Sequence, residues 1–196
     1  MAAAELRSAL STDLLRELSA RGADDGVSIW WLGQAGFCLC WRDLRIAVDP
    51  YLSDSLARKY AGTRFPHRRM MAAPVPPERL TMLDWVFCTH GHTDHMDPDT
   101  LAAIARASPN CRFVVPRSER AKAIERGVPP DRLTATDAGE QLALGGGARV
   151  AVVPAAHEER RQDAEGHELY LGYVFKLGGC AIYHPGDCVP FDGQQD

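Results

Sequence analysis

The sequence contains no apolar run approaching the ~20 residues a membrane span requires, and residues 1–22 lack the basic start and apolar stretch of a secretion signal. A soluble, cytoplasmic protein with no membrane partner is the resulting expectation. Nor is there an excess of positive charge. The formal net charge is −4, so no global field favours nucleic acid. Arg64, His67, Arg68 and Arg69 form a local basic cluster that reads as a solvated loop. The six cysteines lack the paired spacing of a zinc knuckle and the density of a disulfide scaffold. Cys38, Cys40, Cys88, Cys111 and Cys180 therefore read as reduced core residues, with Cys188 apart from them beside Asp187. Internal repeats and low-complexity segments are absent. What remains, 196 residues of which 45% are hydrophobic, suffices for one globular domain with a sizeable core.

Against this background one stretch stands out: Thr89-His90-Gly91-His92-Thr93-Asp94-His95-Met96-Asp97. Three imidazoles and two carboxylates follow directly on the apolar run Trp85-Val86-Phe87-Cys88. Imidazole is the commonest protein ligand for zinc, and carboxylate oxygen suits harder ions such as manganese, so the mixture describes a metal site of borderline softness. A strand ending near Cys88 and a helix starting near Pro98 would leave residues 90–95 on a tight loop. There side chains two, four and five positions apart converge, whereas on a regular helix or strand they would diverge.

The flanking chain supports that placement. Leucines 6, 10, 14, 15 and 18 recur at helical spacing, and Gly22 offers a left-handed stop, which predicts an amphipathic outer helix within residues 1–22. Strands are expected at 27–32, 37–41 and 44–48, the last ending at Asp49-Pro50. Residues 51–80 have no periodicity and read as a long functional or interfacial loop. In it Met70 and Met71 are assigned to packing, with cover for a pocket or partner as the alternative. A strand at 84–88, a helix at 98–107 capped by Asp97, a strand at 112–115 and a helix at 118–126 alternate, the pattern of a layered α/β fold. Short strands then return at 133–136, 141–144, 149–153, 170–177 and 181–183. His157 at a strand end and Asp187 on a glycine turn are the further candidates for function.

These residues resemble the metallo-β-lactamase superfamily. The loop His90-x-His92-x-Asp94-His95 carries its signature, with Asp49, His157 and Gly186-Asp187 in the expected order. Trp31-Leu32-Gly33-Gln34-Ala35-Gly36-Phe37, Asp49-Pro50-Tyr51-Leu52-Ser53 and His95-Met96-Asp97-Pro98 resemble the branch that contains L-ascorbate-6-phosphate lactonase. The resemblance implies an α/β, four-layer αββα sandwich over residues 27–196, incomplete in its second half. It also implies two divalent ions, zinc or manganese. His90, His92 and His157 would hold one, Asp94 and His95 would contribute to the other, and Asp187 would bridge. Asp49 would orient a ligating histidine, and Asp97 would do likewise or simply cap the helix. The implied activity is attack of hydroxide generated at the metal on a small lactone, ester or phosphoester, with Asp94 orienting it or moving its proton. For a phosphorylated small-molecule substrate, Arg68, Arg69, Arg160 and Arg161 are the candidate anion contacts. A final histidine ligand from the second half has no match, His184 being too near Asp187 in the chain to be assumed a substitute. The second metal position is therefore expected to be impaired. A truncated metal-binding protein without catalysis, or a half requiring a partner chain or a second copy, is the alternative, with nucleic-acid hydrolysis a weaker rival.

Overall fold

The computed structural model describes residues 11–194. The leucines at positions 6 and 10, part of the expected N-terminal helix, lie outside them. Helix α1, Ser11–Ser19, buries Leu14, Leu15 and Leu18. It stops before Gly22, whose role differs from the expected left-handed stop. A Cβ there would meet the Arg42 backbone nitrogen at 3.0 Å, so close approach to the turn at Arg42 is what requires glycine. The buried Arg45 guanidinium holds this helix end by donating to the Leu18 carbonyl at 2.6 Å and to the Ala20 carbonyl.

Strands β1 (Ser28–Gly33), β2 (Gly36–Trp41), β3 (Leu44–Val48), β4 (Trp85–Phe87), β5 (Arg112–Pro116) and β6 (Leu133–Thr136) form one sheet in sequential order. The first three are antiparallel, and β3 to β6 run parallel. Helix α2 (Ser55–Lys59), inside the stretch expected to be irregular, precedes β4. Helix α3 (Pro98–Ala107) crosses from β4 to β5, and α4 (Arg120–Glu125) from β5 to β6. The second sheet places β10 (Cys180–His184), β9 (Leu171–Leu177), β8 (Ala148–Pro154) and β7 (Gln141–Gly145) antiparallel in that order.

Strand alternation sorts the first sheet's side chains into two cores. Cys38, Cys40, Ala47, Val86, Phe113 and Val115 face Leu18, Leu101, Ile104 and Ala123 of the helices. Leu39, Ile46, Val48, Phe87 and Val114 face Val150, Val152, Tyr173 and Phe175 of the second sheet. Phe87 meets Tyr173 and Phe175 edge-on, each with ring centroids 5.0 Å apart. Each such ring, fully buried, contributes roughly 1.5–3 kcal/mol of apolar burial. The fold is α/β, as expected, and the described residues supply three layers: helices, first sheet, second sheet. Parallel strands β3 and β4 end at the same edge, where ligands of such sheets gather.

Candidate metal centre

Asp49 ends β3 with φ 46°, a left-handed conformation that turns its carboxylate into the interior. The group is completely buried and fully used. Oδ1 accepts from the Thr89 backbone N–H at 2.8 Å, and Oδ2 accepts from the Thr89 hydroxyl at 2.7 Å. The same Oδ2 lies 2.8 Å from His95 Nδ1 and 3.0 Å from His184 Nε2. An Nδ1–H donated to Asp49 fixes the His95 tautomer and directs Nε2 outward, the arrangement that supports a metal-binding imidazole. Thr89 Oγ1 lies 3.0 Å from His90 Nδ1 and can accept its proton, so His90 also presents Nε2.

Three tight fits lock the loop. A Cβ on Gly91 would strike the Glu119 carboxylate at 2.4 Å, and one on Gly186 would strike Thr89 Oγ1 at 2.6 Å. Asp97 caps α3 by accepting from Thr100 N–H at 3.0 Å, while its other oxygen accepts from Ser55 Oγ at 2.6 Å. The carboxylate is committed there and has no hydrogen bond to a site histidine among the described residues. Of the two roles expected for Asp97, the cap is the one present.

Donor atoms of His90, His92 and His157 lie within 4.8 Å of one another, as do those of His90, His95 and Asp187. His90 Nε2 and His92 Nδ1 are 2.9 Å apart, and His95 Nε2 and Asp187 Oδ1 are 3.3 Å apart. Ligands at ~2.1 Å from a tetrahedral ion stand about 3.4 Å from each other, so these separations fit a divalent cation with little movement. Asp187 reaches both groups, its Oδ2 lying 3.7 Å from His157 Nε2. Asp94 Oδ2 lies 4.0 Å from His95 Nε2, at the half-exposed rim.

Burial, reinforced by His95, pushes the His90 imidazole down to about 3, and burial with His157 lowers His92. Both are neutral at physiological pH, the form that binds metal. Burial opposes charge on His95 too, but the Asp49 and Asp187 carboxylates outweigh it and hold the imidazolium up to about 10. Asp187 is lowered by its hydrogen bond from His95. Asp49 is lowered against its burial by His95 and His184.

A model of the beta-lactamase superfamily domain matches residues 44–196. The chain belongs to the beta-lactamase superfamily. Among superfamily relatives it is similar to a metal-dependent hydrolase of Archaeoglobus fulgidus, 28% identical over 170 residues, covering 82% of this chain and 61% of the relative. It is similar to the N-acyl-phosphatidylethanolamine-hydrolyzing phospholipase D 1 of Caenorhabditis elegans at 24% identity, covering 84% and 48%. From the lactonase branch, the protein named "Probable L-ascorbate-6-phosphate lactonase UlaG" of Escherichia fergusonii is 25% identical, covering 82% and 53%. The solved metallo hydrolase Igni18 of Ignicoccus hospitalis shares the fold, with TM-score 0.58, 20% identity and coverage of 86% and 64%. The chain spans about half the length of the first curated relatives it matches.

Sequence reasoning missed Thr89, His184 and Tyr170. Thr89 is a hydroxyl directly before the histidines, and that position was its only signal. His184 was set aside for lying three residues from Asp187. Gly186 at φ 65° reverses the chain between them, so His184 backs Asp49 while Asp187 faces His95 and His157. Tyr170 packs its ring 5.6 Å from both His157 and His90 and walls the centre.

Proposed function

We propose that this chain carries the metal centre of a hydrolase acting on a small lactone, ester or phosphoester. The observation that carries the reading is the convergence of His90, His92 and His157 beside His95 and Asp187, with Asp49 buried behind them. Divalent ions held there would lower the pKa of a water toward neutrality and polarise the carbonyl or phosphoryl oxygen under attack. His90, His92 and His157 supply three nitrogens and favour zinc, while the carboxylate-bearing group of Asp94, His95 and Asp187 also admits manganese. Asp187 spans the two groups and would set their separation. Asp94, at the rim, would orient the attacking water, take its proton as the bond from oxygen to the electrophilic atom forms, and return it to the leaving oxygen as the ester bond breaks. Relatives named as a lactonase and as a phospholipase D support an oxygen ester as the bond broken. Six free cysteines, four of them buried, suit a reducing cytoplasm.

Of the four arginines expected to hold a substrate phosphate, three are otherwise engaged. Arg69 donates to main-chain carbonyls, Arg160 pairs with Glu168, and Arg161 pairs with Glu159 at 2.8 Å. Arg68 has no acidic partner among the described residues.

The test is metal analysis followed by a panel of lactones, phosphomonoesters and phosphodiesters. Two ions per chain, the second held more weakly for want of the unmatched histidine, and turnover above background are expected, with Asp94→Asn lowering kcat by about 100-fold or more. A protein carrying two ions that hydrolyses nothing on the panel would reverse the reading in favour of a metal-binding protein without catalysis.

A further inference from the structure

We propose that the loop of residues 61–72 docks the protein onto the surface of an anionic phospholipid bilayer. The expectation of no membrane rested on the lack of a spanning segment, and peripheral docking needs none. Seven large hydrophobic side chains are exposed among the described residues, and four of them lie in this one region: Trp31, Phe65, Met70 and Met71. Met70 is 86% exposed and Phe65 66%, so neither is the packing residue its type suggests.

The loop presents these side chains from a fixed backbone. His67 takes φ 46° and stacks on Tyr60 with centroids 4.4 Å apart. The Thr63 hydroxyl donates to the Tyr60 carbonyl at 2.8 Å. Arg69 points inward, donating to Leu32 O at 3.2 Å and Met71 O at 3.0 Å and also to Tyr51 O. The inner side of the loop is thus hydrogen-bonded down, and its outer side carries the apolar tips.

Charge selects the partner. Between Asp54 and Glu78 the chain has five basic residues and no carboxylate, although the whole chain is acidic. Arg58 pairs with Asp99, and Arg69 is turned inward. Lys59, Arg64 and Arg68 have no carboxylate partner among the described residues. Cations around apolar tips match an anionic interface, where the tips enter the headgroup boundary and the cations stay with the lipid phosphates. Nucleic acid would need free aromatic faces for stacking. Of the four apolar side chains only Trp31 offers one, since the Phe65 ring lies beneath the Arg64 guanidinium at 5.2 Å and methionine has no such face. A second copy would bring like charges together.

The surface adjoins the metal centre. Gln34 accepts from Trp31 Nε1 at 2.7 Å on its carbonyl and from the Met70 N–H at 3.4 Å on its side chain. Trp31 pairs across the sheet with Phe37, whose ring meets His184 edge-on at 5.8 Å. Docking would therefore hold the bilayer on the side of the centre formed by Phe37 and His184. The proposal goes beyond hydrolysis and is tested without it.

The experiment is flotation of the metal-loaded full chain with phosphatidylcholine vesicles, with and without phosphatidylglycerol. Binding only to the phosphatidylglycerol vesicles, weakened by salt, is expected. Each cation beside an anionic surface is worth about fivefold, so the Arg64→Glu, Arg68→Glu pair should weaken partitioning at least about 25-fold. Phe65→Ser with Met70→Ser should weaken it too, with melting temperature and metal content unchanged in both variants. The proposal is overturned by equal binding to both vesicle types or by indifference to both variant pairs. It is also overturned by preferential capture of an oligonucleotide, or by variant-sensitive self-association without vesicle binding. If one pair fails to fold, the other pair and the salt dependence still decide. A chain that floats but hydrolyses nothing overturns the hydrolase reading alone, and one that hydrolyses but does not float overturns docking alone.

Discussion

Asp49 is where burial, charge and metal chemistry meet. Removing its charge while keeping its shape leaves one acceptor oxygen facing four donors, so His95 loses the carboxylate that orients it. Asp49→Asn is therefore expected to weaken metal affinity by about 10- to 100-fold, read by competition with a chromophoric chelator. The same pairing makes metal uptake pH-dependent. His95 is held as an imidazolium up to about 10 and must lose that proton to coordinate, whereas His90, down at about 3, has none to lose. At pH 8 about one proton per chain should leave from His95 on metal binding, beyond any released by a water that the metal acidifies, and His95→Gln should lower the total by that one. Calorimetry in buffers of different ionisation enthalpy measures it, and release of no proton would mean His95 is not a ligand.

Linkage extends these shifts to folding. The raised His95 adds stability that is complete below its unfolded value of about 6.5 and is lost as pH rises toward about 10. The lowered His90 and His92 act oppositely, because below about 6.5 the unfolded chain binds protons that the native state refuses. Asp49, lowered as well, contributes above its unfolded value of about 3.9 and loses that contribution in acid. Metal-free protein should therefore be most resistant to urea between about pH 6 and 7, with declining midpoints on both sides. His95→Gln should flatten the alkaline side and, because the His95 charge also lowers Asp49 and His90, alter the acid side as well; an unchanged alkaline side would refute the assignment.

At the scale of elements, α3 shows how a local signal can carry two meanings. Asp97-Pro98 is a helix start by cap and by proline, and the same aspartate lies two residues after a metal-ligand candidate. Both oxygens are engaged by Thr100 and Ser55, so Asp97→Ala should cost about 1 kcal/mol in chemical denaturation and leave metal affinity unchanged. A drop in affinity comparable to that of Asp49→Asn would restore the orienting role. Most strands were legible because alternation sorts their side chains: Cys38 and Cys40 to the helices, Leu39 and Trp41 to the second sheet. The helix in residues 55–59 was not, since five residues give no period. His184 was hidden for a different reason. Chain proximity to Asp187 says nothing of direction when a glycine with positive φ lies between, and only the turn reveals that the two side chains serve opposite sides of the centre.

The whole molecule joins at the centre. His90, His92, Asp94 and His95 come from the edge of the first sheet, while His157 and Asp187 follow strands of the second. Direct ties there include Leu171 N–H donating to Thr89 O at 2.9 Å, Tyr173 Oη to Cys88 O at 2.8 Å, and His184 Nε2 lying 3.0 Å from Asp49 Oδ2. The inter-sheet core holds the layers together along their length, yet at this edge Asp187 is half-exposed and kept in place chiefly by His95 and His157. A cation bound by residues of both sheets would therefore clamp them at this edge. Free metal at about 1,000 times its dissociation constant stabilises by about 4 kcal/mol, so chelation should lower the melting temperature by several degrees. The location of the loss is the sharper readout. Hydrogen exchange should rise on removing metal in residues 155–157 and 184–190 and around Thr89, while Ile46, Phe87 and Phe175 in the inter-sheet core keep their protection. Uniform deprotection instead would mean the cation stabilises the fold as a whole, and unchanged exchange at residues 184–190 would remove Asp187 from the metal-binding set.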